Sequence, residues 1–148
     1  MRISSKGRYG IAVMIRMAQI SKNNEYTSII SIAEKLDISK IYLEQIFSLL
    51  KKAELVKSIK GSQGGYKLAK TPDKITAGDI LRAIEISLFE KTENSVSKDF
   101  IEIDKSMEAL VWDRIDSAVS KALNSVSLSD LVNEADKYKS SDNYMFYI

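Results

Sequence analysis

The chain contains no cysteine and no histidine. The first absence excludes disulfides, thiolate metal sites and thiol nucleophiles. The second removes the commonest general base and the commonest metal ligand. What remains for chemistry is carboxylates and hydroxyls, and the chain reads as a non-enzyme with neither cofactor nor metal. Proline occurs once, at Pro72, and glycine six times in 148 residues. No apolar run approaches the ~20 residues that a membrane span needs. The opening MRISSKGRYG lacks the apolar stretch of a signal peptide, so a cytoplasmic protein without membrane contact is expected. The length suits one hydrophobic core.

Net charge is only +2, but the two signs are separated along the chain. Residues 1–75 hold 14 Lys and Arg against 6 Asp and Glu, whereas residues 76–148 hold 8 against 14. A basic front half joined to an acidic back half points to a nucleic-acid-binding unit followed by a unit with a different task.

Apolar periodicity predicts a first helix from Ser4 or Ser5 to about Ser21, with Ile11, Met14, Ile15 and Ala18 facing inward. A second is predicted over 28–36, with Ile29, Ile32, Ala33 and Leu36 on one face. A third is predicted over 40–53 with Ser39 as N-cap. Asp37 suits a left-handed turn between them, and Ile38 can plug that turn. In the third helix Leu43, Ile46, Phe47 and Leu50 repeat at i, i+3, i+4, i+7 and should point to the core. The opposite face then carries Ile41, Glu44, Gln45, Ser48 and Lys52. Gln can make a bidentate contact with adenine, Glu can accept from cytosine N4, and Ile can pack on a thymine methyl. Lys40, Lys51 and Lys52 can reach phosphates.

Three of the six glycines fall within Gly61-Ser-Gln-Gly-Gly65. No Gly-Lys-Ser/Thr follows at the spacing of a Walker phosphate loop. The flanks 55–60 and 66–70 read as strands rather than the helices that surround a KH-type GXXG. A hairpin remains, with glycine supplying positive φ at its tip. It bears Lys57, Lys60, Lys67 and Lys70 directly after a helix-turn-helix pattern, which is the layout of a wing. Arg2, Lys6 and Arg8, with Ser4, Ser5 and Tyr9, can hold backbone phosphates at the start of the first helix.

Further on, Thr76-Ala-Gly-Asp79 resembles a capping box opening a helix to about Ile86. Residues 87–100 look irregular and polar. A long helix is predicted over 104–126, with an apolar stripe of Met107, Leu110, Val111, Ile115, Ala118, Val119, Ala122 and Leu123. Ser127-Leu-Ser-Asp130 can cap a last helix to about Tyr138. The polar SSDN that follows, then Tyr144-Met-Phe-Tyr-Ile148, reads as a flexible peptide with an apolar anchor.

MRISSKGRYG, Ile38-Ser39 with Tyr42-Leu-Glu-Gln45, Ala53-Glu-Leu-Val-Lys-Ser58, Lys60-Gly61 with Gly64-Gly-Tyr66, and Ile75-Thr-Ala-Gly-Asp-Ile80 together resemble the Rrf-two family of winged helix-turn-helix regulators. The resemblance is strong over residues 1–86 and looser beyond. It implies a mainly α fold with a small β-hairpin wing and a long dimerisation helix. The corresponding division is a winged helix-turn-helix domain over 1–86, a linker over 87–103, the dimerisation and final helices over 104–138, and a C-terminal tail over 139–148. It implies a homodimer built on the stripe above, binding a near-palindromic operator in double-stranded DNA. The DNA-contacting set would be Arg2, Ser5, Lys6, Arg8, Tyr9, Ser39, Lys40, Ile41, Tyr42, Glu44, Gln45, Ser48, Lys51, Lys52, Lys60, Gly61, Gln63 and Gly64. Within it Ile41, Glu44 and Gln45 would read bases, and Lys60 would enter the minor groove. Ile41 departs from the polar residue that iron–sulfur members have there.

Those iron–sulfur members place three cysteines in the segment corresponding to residues 87–104, where this chain reads SLFEKTENSVSKDFIEID. A cluster would have no thiolate ligands, so another input is expected. The tail resembles that of the family's cysteine-metabolism repressors, which work with cysteine synthase (O-acetylserine sulfhydrylase). That enzyme accepts a partner's C-terminal isoleucine, which implies partner binding through Tyr144, Met145, Phe146, Tyr147 and Ile148. The plainer alternative is that the tail folds back on its own domain or dimer. Rival readings of the whole chain are a winged-helix protein-interaction scaffold, a family regulator answering another small molecule, and an enzyme using carboxylates such as Glu85 and Glu90, both of which read as solvated surface residues.

Overall fold

Ser4 starts the first helix, its hydroxyl accepting from the Gly7 amide at 3.0 Å. In the computed structural model, which describes residues 2–21, 24–61 and 64–145 (backbone only for the last three), α1 spans Ser5–Ile20. Its buried face is Gly7, Gly10, Val13, Met14 and Met17. The expected face is rotated from this: Met14 is fully buried, but Ile11, Ile15 and Ala18 are only half-buried at the core's margin. Two later helices also pack on α1, so its buried surface is wider than one stripe. Gly10 permits this, because a Cβ there would collide with the Ile84 side chain.

Helix α2, Ile29–Leu36, is capped by Ser28 and ends at Asp37 in the left-handed conformation, φ 53° and ψ 46°. Ile38 follows as the expected plug, its amide bonded to the Ala33 carbonyl at 3.1 Å and its side chain against the core. Helix α3, Lys40–Lys52, is capped by Ser39. Strands β1, Val56–Ile59, and β2, Gly65–Leu68, pair antiparallel, with Lys57 opposite Lys67 and Ser58 opposite Tyr66. Thr27 adds a third rung on the far edge of β2, exchanging two bonds of 2.8 and 2.9 Å with Tyr66. The stretch before α2 is therefore part of the sheet, although its composition is that of a loop.

Pro72–Lys74 form a 3₁₀ turn, and Thr76 with Asp79 closes a full capping box on α4, Ala77–Ile84. A second box, Ser127 with Asp130, opens α7, Leu128–Met145. The Ser127 amide and then its hydroxyl hold the Asp130 carboxyl below the usual carboxylate range. The two helix starts are tied together: Ala77 donates to the Val126 carbonyl at 2.9 Å, and Leu128 to that of Ile75 at 2.7 Å. Leu128 and Ile75 are both fully buried, so this rung seats the C-terminal helix in the winged domain's own core. α7 runs seven residues beyond the expected end at Tyr138, so Ser140-Ser-Asp-Asn143 is helical rather than a flexible polar spacer.

Between them lie irregular residues and two short 3₁₀ turns, then one long helical rod. It consists of α5, Ile101–Met107, a π-helical stretch Glu108–Trp112, and α6, Asp113–Asn124. The rod starts three residues before the expected Asp104, because a 3₁₀ turn at Lys98–Phe100 leads directly into it. Asp104 is the only buried charged side chain among the described residues, at 8% exposure. Its carboxylate accepts from the Ser95 and Val96 amides at 2.8 and 3.3 Å, pinning the irregular segment to the rod. At the other end Arg82 on α4 donates to Asn124 Oδ1 at 2.8 Å, with its guanidinium 4.9 Å from the centre of the Phe89 ring.

Hydrogen bonds to a charged acceptor contribute about 1.5–3 kcal/mol each. Asp104→Ala is expected to release residues 95 and 96 while leaving the winged domain folded. Amide hydrogen exchange should show protection lost at Ser95 and Val96 and kept at Phe47.

Candidate nucleic-acid interface

Helix α3 separates its faces sharply. Leu43, Ile46, Phe47 and Leu50 are fully buried, and Ile41, Glu44, Gln45 and Ser48 are all exposed. Burying four large apolar side chains at about 1.5–3 kcal/mol each sets the rotation of the helix. The Lys40–Glu44 pair at 3.7 Å, on the surface at i,i+4, adds only about 0.3–0.5 kcal/mol. Ile41 is 72% exposed, the most open large apolar side chain among the described residues of the winged half.

One groove of about 540 Å³ gathers Ile41, Glu44, Gln45 and Ser48 with Lys6 of α1. Leu49 lines it too, a residue outside the expected set; lying beside Ser48 and four after Gln45, it is within reach of the same periodicity. Lys6 lies 6.0 Å from the centre of the Tyr42 ring, and Tyr42 meets Tyr9 edge-on at 5.5 Å. This aromatic pair couples the start of α1 to the first turn of α3. Of the other N-terminal candidates, Ser5 Oγ accepts from Arg8 Nη2 at 2.9 Å, and Arg2 is exposed; none of the three lines this groove. Ser39 uses its hydroxyl to accept from the Tyr42 amide at 3.2 Å. Glu85 is not the solvated carboxylate expected: half-buried, it accepts from the Ser4 amide at 2.7 Å and anchors the N-terminal arm.

On the other flank a second groove, of about 430 Å³, runs between α2, α3 and the hairpin, and includes Lys40, Gly61 and Gly64. Gly64 has φ 49°, the left-handed conformation expected at the tip. Gly61 does not need it; a Cβ there would meet nothing within 4 Å. Lys60 and Lys51 line a third groove beside the wing, and Lys52 is exposed at the end of α3. Phe47 stacks on Tyr66 with centroids 4.4 Å apart, which fixes the hairpin against α3. Gln63 lies outside the described residues, as do Phe146, Tyr147 and Ile148; of Tyr144 and Met145 only the helical backbone is described.

An exposed polar helix face with a glycine-tipped basic hairpin beside it is a winged helix-turn-helix. The sequence profile of Rrf2, described as an iron-dependent transcriptional regulator, matches residues 3–134. The chain belongs to the Rrf2 family. It is 44% identical over 151 residues to the HTH-type transcriptional regulator CymR of Bacillus subtilis (strain 168), covering 100% of both chains. It is 33% identical over 142 residues to IscR of Yersinia enterocolitica, covering 96% of this chain and 85% of that one. The solved structure of CymR (YrzC), the global cysteine regulator of B. subtilis, superposes with a TM-score of 0.71 at 40% identity, covering 90% of this chain and 98% of that one.

Being an Rrf2 protein, the chain is a DNA-binding transcriptional regulator, and relatives named as such imply that it is not an enzyme. Iron–sulfur members hold their cluster with cysteines, and the residues here do not fit one. Segment 87–104 has no Cys or His, and the Asp104 carboxylate is taken up by two backbone amides. Among the described residues no three metal-ligating side chains converge, and no helix is long and apolar enough to cross a membrane.

If Gln45 makes a bidentate base contact, Gln45→Ala should weaken binding to a cognate duplex by about 1–3 kcal/mol and leave non-specific binding unchanged. Fluorescence anisotropy on the two duplex classes checks this, and an equal loss on both would show a phosphate contact instead.

Proposed function

We propose that this protein is a dimeric, cytoplasmic transcriptional repressor of cysteine and sulfur metabolism genes, controlled through a partner protein rather than an iron–sulfur cluster. The observation that carries the DNA-reading part is the single groove holding Ile41, Glu44, Gln45 and Ser48 beside Lys6, with the lysine-bearing wing on the opposite flank. In this reading α3 enters the major groove, Ile41, Glu44 and Gln45 meet base edges, Lys60 follows the minor groove, and Lys6, Lys40, Lys51 and Lys52 with Arg2 and Arg8 neutralise phosphates. The similarity to CymR, a cysteine regulator, supports the choice of regulon. Footprinting on promoters of cysteine-biosynthesis genes tests it; protection no stronger there than on unrelated DNA would overturn it.

The dimer reading is supported by the uncovered rod. Leu110 is 61% exposed, Val111 41% and Ile115 47%, and Met107, Val119 and Leu123 are only half-buried. A second copy laid on this stripe would bury it and place two α3 helices on one duplex. Leu110→Glu with Ile115→Glu should therefore yield a monomer by light scattering, still folded by circular dichroism, with operator affinity reduced at least tenfold.

For the partner, the proposed contact is the end of the chain, with Ile148 entering the active site of cysteine synthase and the substrate O-acetylserine competing with it. Removal of Ile148 is expected to abolish the complex in calorimetric titration of the synthase. Unchanged affinity would reject the tail as the contact.

A further inference from the structure

The outer face of the wing has a feature that the reading helix does not explain. Lys57 and Lys67 stand directly opposite each other in the β1–β2 register. Like charges directly opposite across a sheet repel and destabilise the pair. Both point away from the core: on the neighbouring rungs Val56 and Leu68 are buried, and Tyr66 stacks on Phe47. Lys67 has a partial remedy in Tyr26, whose ring centre lies 4.9 Å from its ammonium. Among the described residues no carboxylate lies within 4.0 Å of Lys51, Lys57, Lys60, Lys67 or Lys70.

These lysines line two open grooves, of about 760 and 380 Å³, which meet at Lys57, Ala69 and Lys70. Glu54 is the one carboxylate lining either. The larger groove begins at Lys51 and Lys60, both on the proposed DNA side, and the smaller carries the positive track around the hairpin to Pro72. A small anionic ligand would be enclosed over most of its surface. This surface is an open, elongated run of cations, which suits an extended polyanion with evenly spaced charges.

We propose that the outer wing face, Lys57, Lys67 and Lys70 with Tyr26, is a second phosphate track that holds the duplex backbone flanking the operator. It rests on the DNA-binding reading and adds to it a contact beyond the recognised sequence. The repulsion built into the Lys57–Lys67 rung is relieved when phosphates lie between the two ammoniums. The track reads no bases, so its contribution is electrostatic and the same for any flanking sequence.

The test uses the full chain, unmodified and as the Lys57→Gln/Lys67→Gln/Lys70→Gln variant. Two duplexes are centred on one footprinted site, one limited to it and one extended by about one helical turn, ~10 base pairs, on each side. The unmodified protein should bind the extended duplex more tightly and with a steeper salt dependence. The variant should lose that gain, its log–log salt slope on the extended duplex becoming shallower by about 0.9 for each phosphate that is no longer neutralised, while its affinity for the short duplex stays within twofold. Equal slopes for the two proteins on the extended duplex would overturn the track, as would an equal weakening on both duplexes. Protection of the Lys57 and Lys67 amides by inorganic tripolyphosphate, with no response to flanking DNA, would assign the face to a small anion instead. The variant's melting temperature should match or exceed the unmodified protein's, because a repulsive rung has been removed; a clear drop would make the pair structural. Failure of both proteins to prefer the footprinted site would sink the DNA-binding reading itself, an outcome distinct from all of these.

Discussion

The stacking of Phe47 on Tyr66 is the contact on which the candidate recognition surface depends. Phe47 is fully buried in the middle of α3, and Tyr66 lies in β2, bonded on its far side to Thr27. One aromatic pair thus joins α3, the hairpin and the segment before α2. An offset aromatic stack is worth about 0.5–1.5 kcal/mol beyond its burial, and truncating a buried Phe costs about 3–5 kcal/mol. Those magnitudes exceed that of any surface ion pair among the described residues, so the angle between helix and hairpin is set by packing. A duplex has fixed groove spacing, and a reader with two prongs must present them at a fixed separation.

The C-terminal half is attached by other means. Two capping boxes sit side by side, and the rung between Ile75–Ala77 and Val126–Leu128 carries the fully buried Leu128 into the winged domain's core. Asp104 fastens the irregular segment to the rod, and Arg82 fastens α4 to the rod's far end. The rod is therefore fastened to α4 at its C-terminal end, and at its start only to the irregular segment, while its apolar stripe stays uncovered.

Much of the site was legible in the chain. Ser39, Asp37, Ile38 and the two faces of α3 follow from local rules: a cap, a left-handed turn, and a 3.6-residue period with one neighbour on one side. The glycine-rich hairpin was legible for the same reason, although of its three glycines only Gly64 and Gly65 adopt positive φ and Gly61 does not. The same period reaches Leu49, but an apolar residue beside a polar face is normally counted as core, so the pattern alone does not assign it to the site.

Sequence alone determined the order of elements, the caps, the polar face of α3, the concentration of positive charge before residue 75, and the lack of thiolate ligands. Each of these is a property of residue type or of spacing within a few turns. Tertiary structure alone decided which face of α1 is buried, that Thr27 joins the sheet, that Glu85 holds the N-terminal arm, that Leu128 belongs to the first domain's core and that Asp104 is an anchor. Those outcomes come from contacts between segments far apart in the chain, where burial depends on which surface arrives opposite, and no local period encodes that.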